Sequence, residues 1–297
     1  MKNVVKHKAH LLMLMPGLVF LIIFHYIPMG GIILAFKDHM LMKGVLRSPW
    51  VGLKHFEYLF SSPEFFRVLR NTLVISMLKL LCGFPIPIIF ALLLNEVRHI
   101  KYRKLVQTIS YMPHFISWVI LAGVFIDLLS LDGPVNGFLR LLGNKPVIFL
   151  SRPNYFWFIM VVTHIWKTFG WSSIIYFAAL SNVDPNLLEA ATVDGAGRFR
   201  KAVSISLPCI MPTVLVILIL NTGGILSAGF DQIFNMYNPA VMDVADILDT
   251  YVYRRGLIKI EYSYSTAVGL FKSVVALIMI VTTNRIARVI NEGEGLW

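Results

Sequence analysis

Long runs of apolar residues with almost no charge dominate this sequence. Hydrophobic residues make up 57% of the 297 positions and charged residues only 14%, which is too apolar for a soluble domain of ordinary composition. A helical run of about 20 apolar residues crosses a hydrocarbon core about 30 Å thick. Six runs reach that length: 11–36, 71–94, 107–126, 155–181, 209–230 and 262–284. The sequence therefore predicts an all-α polytopic membrane protein with six transmembrane helices.

The basic residues indicate how these spans are oriented. The formal net charge is +11, but Lys and Arg are spread over the loops and do not cluster on one soluble face, so no nucleic-acid partner is expected. The loops on the side of the N-terminus are the shorter ones and carry Lys and Arg at the higher density. By the positive-inside rule, both termini are expected in the cytoplasm. No repeat or linker divides the sequence, so we expect one membrane domain over residues 1–297.

One polar insert, residues 184–208, separates the fourth run from the fifth. The Asp184-Pro185 pair supplies an N-cap oxygen and a preset first turn, so a short helix is predicted over 187–193. Gly195 favours a turn, after which a second helix is predicted until Pro208 ends it. The insert is thus predicted to form a compact helical hairpin between two spans.

The insert carries a pattern of fixed residues and spacings. It reads Glu189-Ala190-Ala191, three residues, Gly195, nine residues, and then Ile205-Ser206-Leu207-Pro208. This pattern resembles the EAA loop of the permease subunits of binding-protein-dependent ABC importers. Other segments resemble the carbohydrate branch of these permeases, and most closely the subunits that import complex oligosaccharides. They are Phe84-Pro85-Ile86-Pro87, Ala91-Leu92-Leu93-Leu94-Asn95-Glu96, Met112-Pro113-His114-Phe115-Ile116-Ser117-Trp118, Asp249-Thr250-Tyr251-Val252-Tyr253-Arg254 and Gly295-Leu296-Trp297. The resemblance extends over nearly the whole chain.

The resemblance implies a type I ABC importer permease in the cytoplasmic membrane of a bacterium. The expected partners are a second, homologous permease subunit, two ATPase subunits, an extracytoplasmic solute-binding protein, an oligosaccharide and membrane lipid. ATP and magnesium would be bound by the ATPase, and no cofactor is expected in this chain. The insert would dock into a cleft of the ATPase.

The residues expected to couple ATP hydrolysis to transport lie in the insert. They are Asp184, Glu189, Ala190, Ala191, Asp194, Gly195, Ile205, Leu207 and Pro208. Small residues such as the two alanines permit close approach of the partner. Asp194 lies four residues before Arg198, so it either braces the loop or contacts the partner.

The resemblance also makes the fourth and fifth runs the walls of the substrate pathway. Ligand sites combine apolar and aromatic surfaces with a few polar groups, and both runs offer such residues. The residues expected along the pathway are Trp166, Lys167, Phe169, Trp171, Tyr176, Asn221 and Ile225. Aromatic residues inside spans also serve in packing and at the membrane interface, and that alternative stays open.

Three lysines lie inside the apolar runs, at Lys79, Lys167 and Lys272. A charge at that depth is costly and usually faces a cavity. We hypothesise that one or more of these lysines lines a cavity that favours acidic sugars such as uronates. Snorkelling or pairing within the helix bundle explains them equally well, and best for Lys79, which is the shallowest of the three.

The sequence shows no catalytic constellation. His25, His114 and His164 lie in or near the runs without a Cys or carboxylate at ligand spacing, so no metal site is expected. A glycine loop followed by Lys and Ser or Thr, which would bind nucleotide phosphates, is absent from the sequence. We therefore expect a transport subunit and not an enzyme. Its expected function is ATP-driven import of oligosaccharides, acidic ones included; the alternative is a non-sugar solute such as an amino acid or a phosphate ester.

Overall fold

Membrane-spanning helices account for most of the fold. The computed structural model describes the chain from Lys8 to Ile290, so the terminal Gly295-Leu296-Trp297 lies outside the described residues. Within them, four continuous helical segments are long and apolar enough to cross a membrane: Leu12–Phe36, Pro63–Asn95, Pro153–Leu180 and Tyr262–Ile286. Two bent pairs meet the same test, Ile100–Phe115 with Trp118–Leu128 and Arg198–Cys209 with Met211–Gly223. Counted as one span each, the pairs bring the total to six, as predicted.

The first span changes its helical pitch along its length. Helix α1, Lys8–Leu21, continues through a π-helical turn at Ile22–Tyr26, an α-helical turn at Ile27–Met29 and a 3-10 segment at Gly30–Phe36. The π turn ends two residues before Pro28, which has no N–H to donate to the preceding turn and crowds it, so the helix widens there. Most side chains of this span are exposed, as expected for a helix that faces lipid.

The loop after the first span contains two short helices, α2 at Gly44–Arg47 and α3 at Lys54–Ser61. Lys54 at the start of α3 donates a hydrogen bond to Asp38 at 2.9 Å. This hydrogen bond lowers the pKa of the Asp38 carboxyl from its usual value. Both side chains are largely exposed, so the pair contributes little to stability.

The second span starts earlier than the sequence predicted. Helix α4 covers Pro63–Gly83, with Pro63 in the first turn, where a missing N–H costs no hydrogen bond. Helix α5, Pro85–Asn95, follows after one residue. Its two prolines, Pro85 and Pro87, remove two backbone donors and account for the interruption at Phe84.

The third span is sharply bent. Helix α6 covers Ile100–Tyr111, a 3-10 turn follows at Met112–Phe115, and helix α7 covers Trp118–Leu128, with 100° between the two arms. A short helix α8, Pro134–Leu141, and a 3-10 turn, Phe149–Ser151, lead to the fourth span. That span is the uninterrupted helix α9, Pro153–Leu180.

The insert and the fifth span follow the predicted order with two corrections. Helix α10, Pro185–Val193, is followed by α11 at Arg198–Lys201, a π turn at Ala202–Ser206 and an α-helical turn at Leu207–Cys209. The helix therefore passes through Pro208 and ends one residue later; the missing N–H widens the turn before it instead of stopping it. Helix α12, Met211–Gly223, then turns away by 63°.

The second correction concerns the end of the fifth span. The sequence predicted helix as far as residue 230, whereas α12 ends at Gly223 and residues 224–229 are not helical. We call residues 224–229 the broken segment. Gly229 at its end has a φ of +94°, a conformation that favours glycine. Helix α13, Phe230–Met236, begins directly after it.

The remaining helices complete the chain. A 3-10 turn at Pro239–Val241 precedes α14 at Met242–Ala245 and α15 at Leu248–Tyr253; the latter ends in a π turn, Arg254–Ile258. The last helix, α16, covers Tyr262–Ile290 and contains the sixth span.

Two compact units make up the fold. The first comprises Met1–Phe65 and Val252–Ser273, where Phe60, Phe65 and Phe271 pack edge to face and Arg254 pairs with Glu64 at 2.9 Å. The second comprises Phe66–Tyr251 and Val274–Trp297. Its core contains two groups of buried apolar residues, one around α9, α13 and α14 and the other around α5, α9 and α12. The single domain expected from the sequence stays a prediction.

Candidate functional site

A cavity of about 740 Å³ lies in the second unit. Its walls come from α4, α5, α9, α12 and the broken segment, so it lies among helices that are expected to cross the membrane. The lining is mostly apolar, with three aromatic rings, those of Phe84, Trp171 and Tyr176. Polar groups are contributed by Ser76, Lys79, His164, Thr168, Ser172, Asn221 and Ser227. This combination matches the general form of a small-molecule site.

The charge of the lining has one sign. Lys79 is the strongly basic residue among the residues that line the cavity, and that set contains no Asp or Glu. A cavity of this composition favours anionic or neutral polar ligands over cations, since charges interact strongly at membrane depth.

Lys79 lies on α4 and is only 8% exposed. Its Nζ donates to the backbone carbonyl of Ala228 at 2.6 Å and to Oε1 of Gln232 at 2.5 Å. Gln232 in turn donates from Nε2 to the Met160 carbonyl and to Oγ1 of Thr163, both at 2.8 Å. Lys79 therefore supports the broken segment, where a free carbonyl at membrane depth needs a donor.

The structure brings together four of the seven residues predicted for the pathway. Trp171, Tyr176, Asn221 and Ile225 line the cavity, and so does Lys79. On α9 the lining residues include positions 164, 168, 171, 172 and 175, which lie on one face of a helix with 3.6 residues per turn.

The other three predicted residues lie on other faces of α9 and outside the lining. Trp166 packs edge to face on Phe125, with ring centroids 5.6 Å apart. Phe169 packs in the same way on Phe90 at 5.1 Å. The third, Lys167, holds the bend of the third span. These contacts support the packing alternative for these positions.

Lys167 is 7% exposed and its ammonium is surrounded by carbonyls. Nζ donates to the backbone oxygens of Pro113, His114 and Ile116, at 3.2, 2.8 and 2.5 Å. It also lies 5.5 Å from the ring centroid of Trp118. All three donors of the ammonium are therefore used where the third span bends, and this lysine has no N–H left for a ligand.

The same bend is attached to α9 by two further contacts. The rings of His114 and Trp171 stack with centroids 4.6 Å apart and 4° between their planes. Gly170 lies so close to α6 that a Cβ there would be 2.5 Å from the carbonyl carbon of Ser110. The bend thus also fixes the position of Trp171, one wall of the cavity.

Lys272, the third intramembrane lysine, lies on α16 in the first unit and is not among the residues that line the cavity. The lining residues that escaped the prediction include the polar side chains Ser76, His164, Thr168 and Ser172. Three of them share a face of α9 with Trp171, so helical periodicity counted from that residue is the signal that could have found them. Within the described residues, no group of three or more His, Cys, Asp or Glu side chains could hold a metal ion.

The insert forms the predicted hairpin. The Oδ1 of Asp184 accepts from the backbone N–H of Asn186 and caps α10. Gly195, with a φ of +77°, follows the helix, and the N–H of Ala196 donates to the carbonyl of Ala191 at 2.8 Å. Lys201 Nζ donates to Oγ1 of Thr192 at 3.1 Å and joins the two arms.

The other predicted coupling residues have different exposures on this hairpin. Glu189, Ala190, Asp194 and Pro208 are exposed, whereas Ala191, Ile205 and Leu207 are half-buried. No ion pair forms between Asp194 and Arg198 in the described chain, so the bracing role suggested for Asp194 has no contact to support it. Two apolar side chains that the prediction omitted are highly exposed, Val193 at 88% and Phe199 at 83%.

Comparisons with known proteins agree with this architecture. Residues 83–293 match the family described as binding-protein-dependent transport system inner membrane component. The polygalacturonan/rhamnogalacturonan transport system permease protein YteP of Bacillus subtilis (strain 168) is 45% identical over 296 residues, which cover 99% of this chain and 92% of that protein.

Comparison with solved structures shows similarity to chains of bacterial ABC transporters. A chain from the crystal structure of a bacterial alginate ABC transporter in complex with an alginate pentasaccharide-bound periplasmic protein superposes with a TM-score of 0.91. It is 42% identical, and the match covers 99% of each chain. A chain from a bacterial ABC transporter involved in the import of the acidic polysaccharide alginate also has a TM-score of 0.91, at 43% identity and 98% coverage of each chain.

Proposed function

Because the chain belongs to the family of binding-protein-dependent transport system inner membrane components, we propose that it is the permease subunit of an ATP-driven importer of acidic oligosaccharides. The observation that carries the substrate class is the similarity, along nearly the full length, to a permease named for polygalacturonan, a polymer of uronic acid. The cavity supports the same class, since its lining has a lysine and no Asp or Glu. We propose the cavity as part of the substrate pathway.

The proposed assembly contains a second permease subunit, two ATPase subunits and an extracytoplasmic solute-binding protein. The termini and the hairpin at 184–208 are proposed to be cytoplasmic, where the ATPase is available. The hairpin suits docking because it is stiffened at both ends of α10, by the Asp184 cap and by the turn at Gly195. Its exposed Val193 and Phe199 offer apolar surface that a partner would cover.

Uptake into proteoliposomes tests the substrate class. The complete assembly is reconstituted, the solute-binding protein is added, and uptake of labelled tetragalacturonate, maltotetraose and an amino acid is measured with and without ATP. We expect ATP-dependent uptake of tetragalacturonate in clear excess over the other two. Preference for maltotetraose or for the amino acid would refute the proposed substrate class.

Copurification tests the docking of the hairpin. Phe199→Asp places a charge where a partner is expected to cover an apolar ring, so the ATPase should be lost from the purified complex. Met42→Asp is the matched control, because Met42 is a fully exposed apolar residue of the loop expected on the opposite side of the membrane. The docking proposal fails if both variants retain the ATPase equally well.

A further inference from the structure

One polar group in the cavity lacks a partner. Ser76 is 7% exposed, and its Oγ has no hydrogen-bond partner among the described residues. A buried hydroxyl without a partner costs about 1–3 kcal/mol, so such groups are rare unless something else supplies the bond. Ser76 also lines the cavity. Its Oγ is itself closed to solvent in this structure, so a ligand in the cavity reaches the hydroxyl once the neighbouring side chains move.

Lys79 lies three residues after Ser76 on α4, and both line the cavity. Residues three apart occupy neighbouring positions on one face of a helix. The Lys79 ammonium has three N–H donors, and the described structure gives acceptors to two of them, the Ala228 carbonyl and Gln232 Oε1. Both acceptors are uncharged, and the cavity lining contains no carboxylate to balance the ammonium. One N–H therefore remains available for a ligand.

We propose that Ser76 and Lys79 form an anion subsite that binds one carboxylate of a uronate residue during transport. One carboxylate oxygen accepts from the free N–H of Lys79, and the Ser76 hydroxyl donates a second hydrogen bond to the same group. This deepens the proposed function and rests on it, because it identifies the residues that select acidic sugars within that pathway. The sequence analysis left a cavity role open for all three lysines and favoured snorkelling or pairing within the bundle for Lys79; the proposal gives the cavity role to Lys79.

Lys167 supplies the contrast that makes the assignment specific. Both lysines are buried on spans, but the three N–H donors of Lys167 already have carbonyl acceptors, and the residue does not line the cavity. A selectivity role therefore falls to Lys79, and Lys167 serves as a matched control for the loss of a buried positive charge.

The test compares Lys79→Met, Ser76→Ala and Lys167→Met in the complete reconstituted assembly. Uptake of tetragalacturonate is measured next to uptake of the same tetrasaccharide with its carboxyl groups reduced to alcohols. Each rate is divided by the basal ATPase rate of the same preparation, which corrects for the amount of assembled complex. Loss of a hydrogen bond to a charged group should lower the uronate rate about 10- to 100-fold in Lys79→Met and about 3- to 10-fold in Ser76→Ala. The rate for the reduced sugar should change less than about twofold in Lys79→Met and Ser76→Ala. Lys167→Met should change the rates for both sugars by the same factor, because it acts on the bend and not on the carboxylate.

Ser76→Ala keeps the proposal open to refutation if Lys79→Met fails to assemble. This substitution removes an unpaired buried hydroxyl and should leave folding intact. An unchanged uronate rate in Ser76→Ala overturns the subsite, and so does an equal fall for both sugars in Lys79→Met. Failure of the wild-type assembly to import tetragalacturonate would instead refute the proposed function, so the two failures are distinguishable.

Discussion

The close approach of α6 and α9 at Gly170 gives a prediction whose sign and size follow from the geometry. A Cβ at this position would be 2.5 Å from the Ser110 carbonyl carbon, where carbon atoms in contact normally lie 3.5–4.0 Å apart. Gly170→Ala must therefore move the two helices apart by about 1 Å. The obstacle is backbone, which cannot rotate away as a side chain does.

Overpacking of this kind costs typically 1–3 kcal/mol, and a clash with backbone belongs near the upper end. Alanine is favoured over glycine within a helix by about 1 kcal/mol, which offsets part of the cost. The net expectation is a loss of about 2 kcal/mol in Gly170→Ala. Separation of the helices should also lengthen the bonds from Lys167 to the bend, so the loss is not confined to one contact.

The assay is thermal unfolding of the purified complex, followed by its tryptophan fluorescence. A loss of about 2 kcal/mol lowers the midpoint by roughly 4–8 °C in proteins of 150–250 residues, and a shift of that order is expected here. Gly123→Ala is the matched control, because Gly123 lies within α7 and a Cβ there would meet nothing within 4 Å. That control should be neutral or slightly more stable. A Gly170→Ala complex as stable as the control would refute the reasoning.

Other substitutions have equally definite outcomes. Gly195→Val forces a β-branched residue into the left-handed conformation, which should cost about 1–3 kcal/mol and reduce copurification of the ATPase. Gly195→Asn should retain the ATPase, because asparagine tolerates a positive φ. Equal retention of the ATPase by both variants would contradict the need for a positive φ. Lys167→Met leaves three carbonyls without their hydrogen-bond donor. A typical hydrogen bond inside a membrane contributes about 0.6 kcal/mol, so the thermal midpoint should fall by an amount equivalent to about 2 kcal/mol. The midpoint of Lys167→Arg should fall less. The pKa of Asp38 is lower in the folded protein than in the unfolded chain. The pair with Lys54 therefore contributes its full stabilisation above the unfolded-state pKa of about 3.9, and this contribution is lost as the pH falls through the folded-state pKa. Since the pair is exposed, Asp38→Asn should shift the midpoint at pH 7 by less than about 1 °C and should flatten its decline below about pH 4; a shift of several degrees at pH 7 would be inconsistent with an exposed pair.

The spans were predictable because long apolar runs leave the backbone no alternative to helix inside a membrane. The residues at which the helices end were less predictable. The fifth run is apolar as far as Phe230, yet its helix ends at Gly223, because Lys79, from elsewhere in the chain, donates a hydrogen bond to the Ala228 carbonyl of the broken segment. A contact between residues about 150 positions apart in the sequence, as Lys79 and Ala228 are, leaves no local signal.

The roles of the intramembrane lysines could not be read from depth or composition. Lys79 and Lys167 look alike in the sequence, each a single charge within an apolar run. What separates them is the set of carbonyl groups that each ammonium meets, and this depends on where α4 and α9 lie in the bundle. The hairpin is the opposite case, since its cap, glycine turn and helical arms are encoded within 25 consecutive residues, 184–208, and were largely predicted.

The hydrogen bond from Lys79 to the broken segment has a consequence for transport energetics. The same ammonium that donates to the Ala228 carbonyl belongs to a residue that lines the cavity, and one of its N–H groups has no acceptor among the described residues. A carboxylate that draws the ammonium toward itself weakens its hold on the interrupted helix, and a rearrangement of that helix alters how firmly the carboxylate is held. By thermodynamic reciprocity the two equilibria change each other by the same factor. Cargo release and reshaping of the cavity wall would then be one coupled event, without a separate gate.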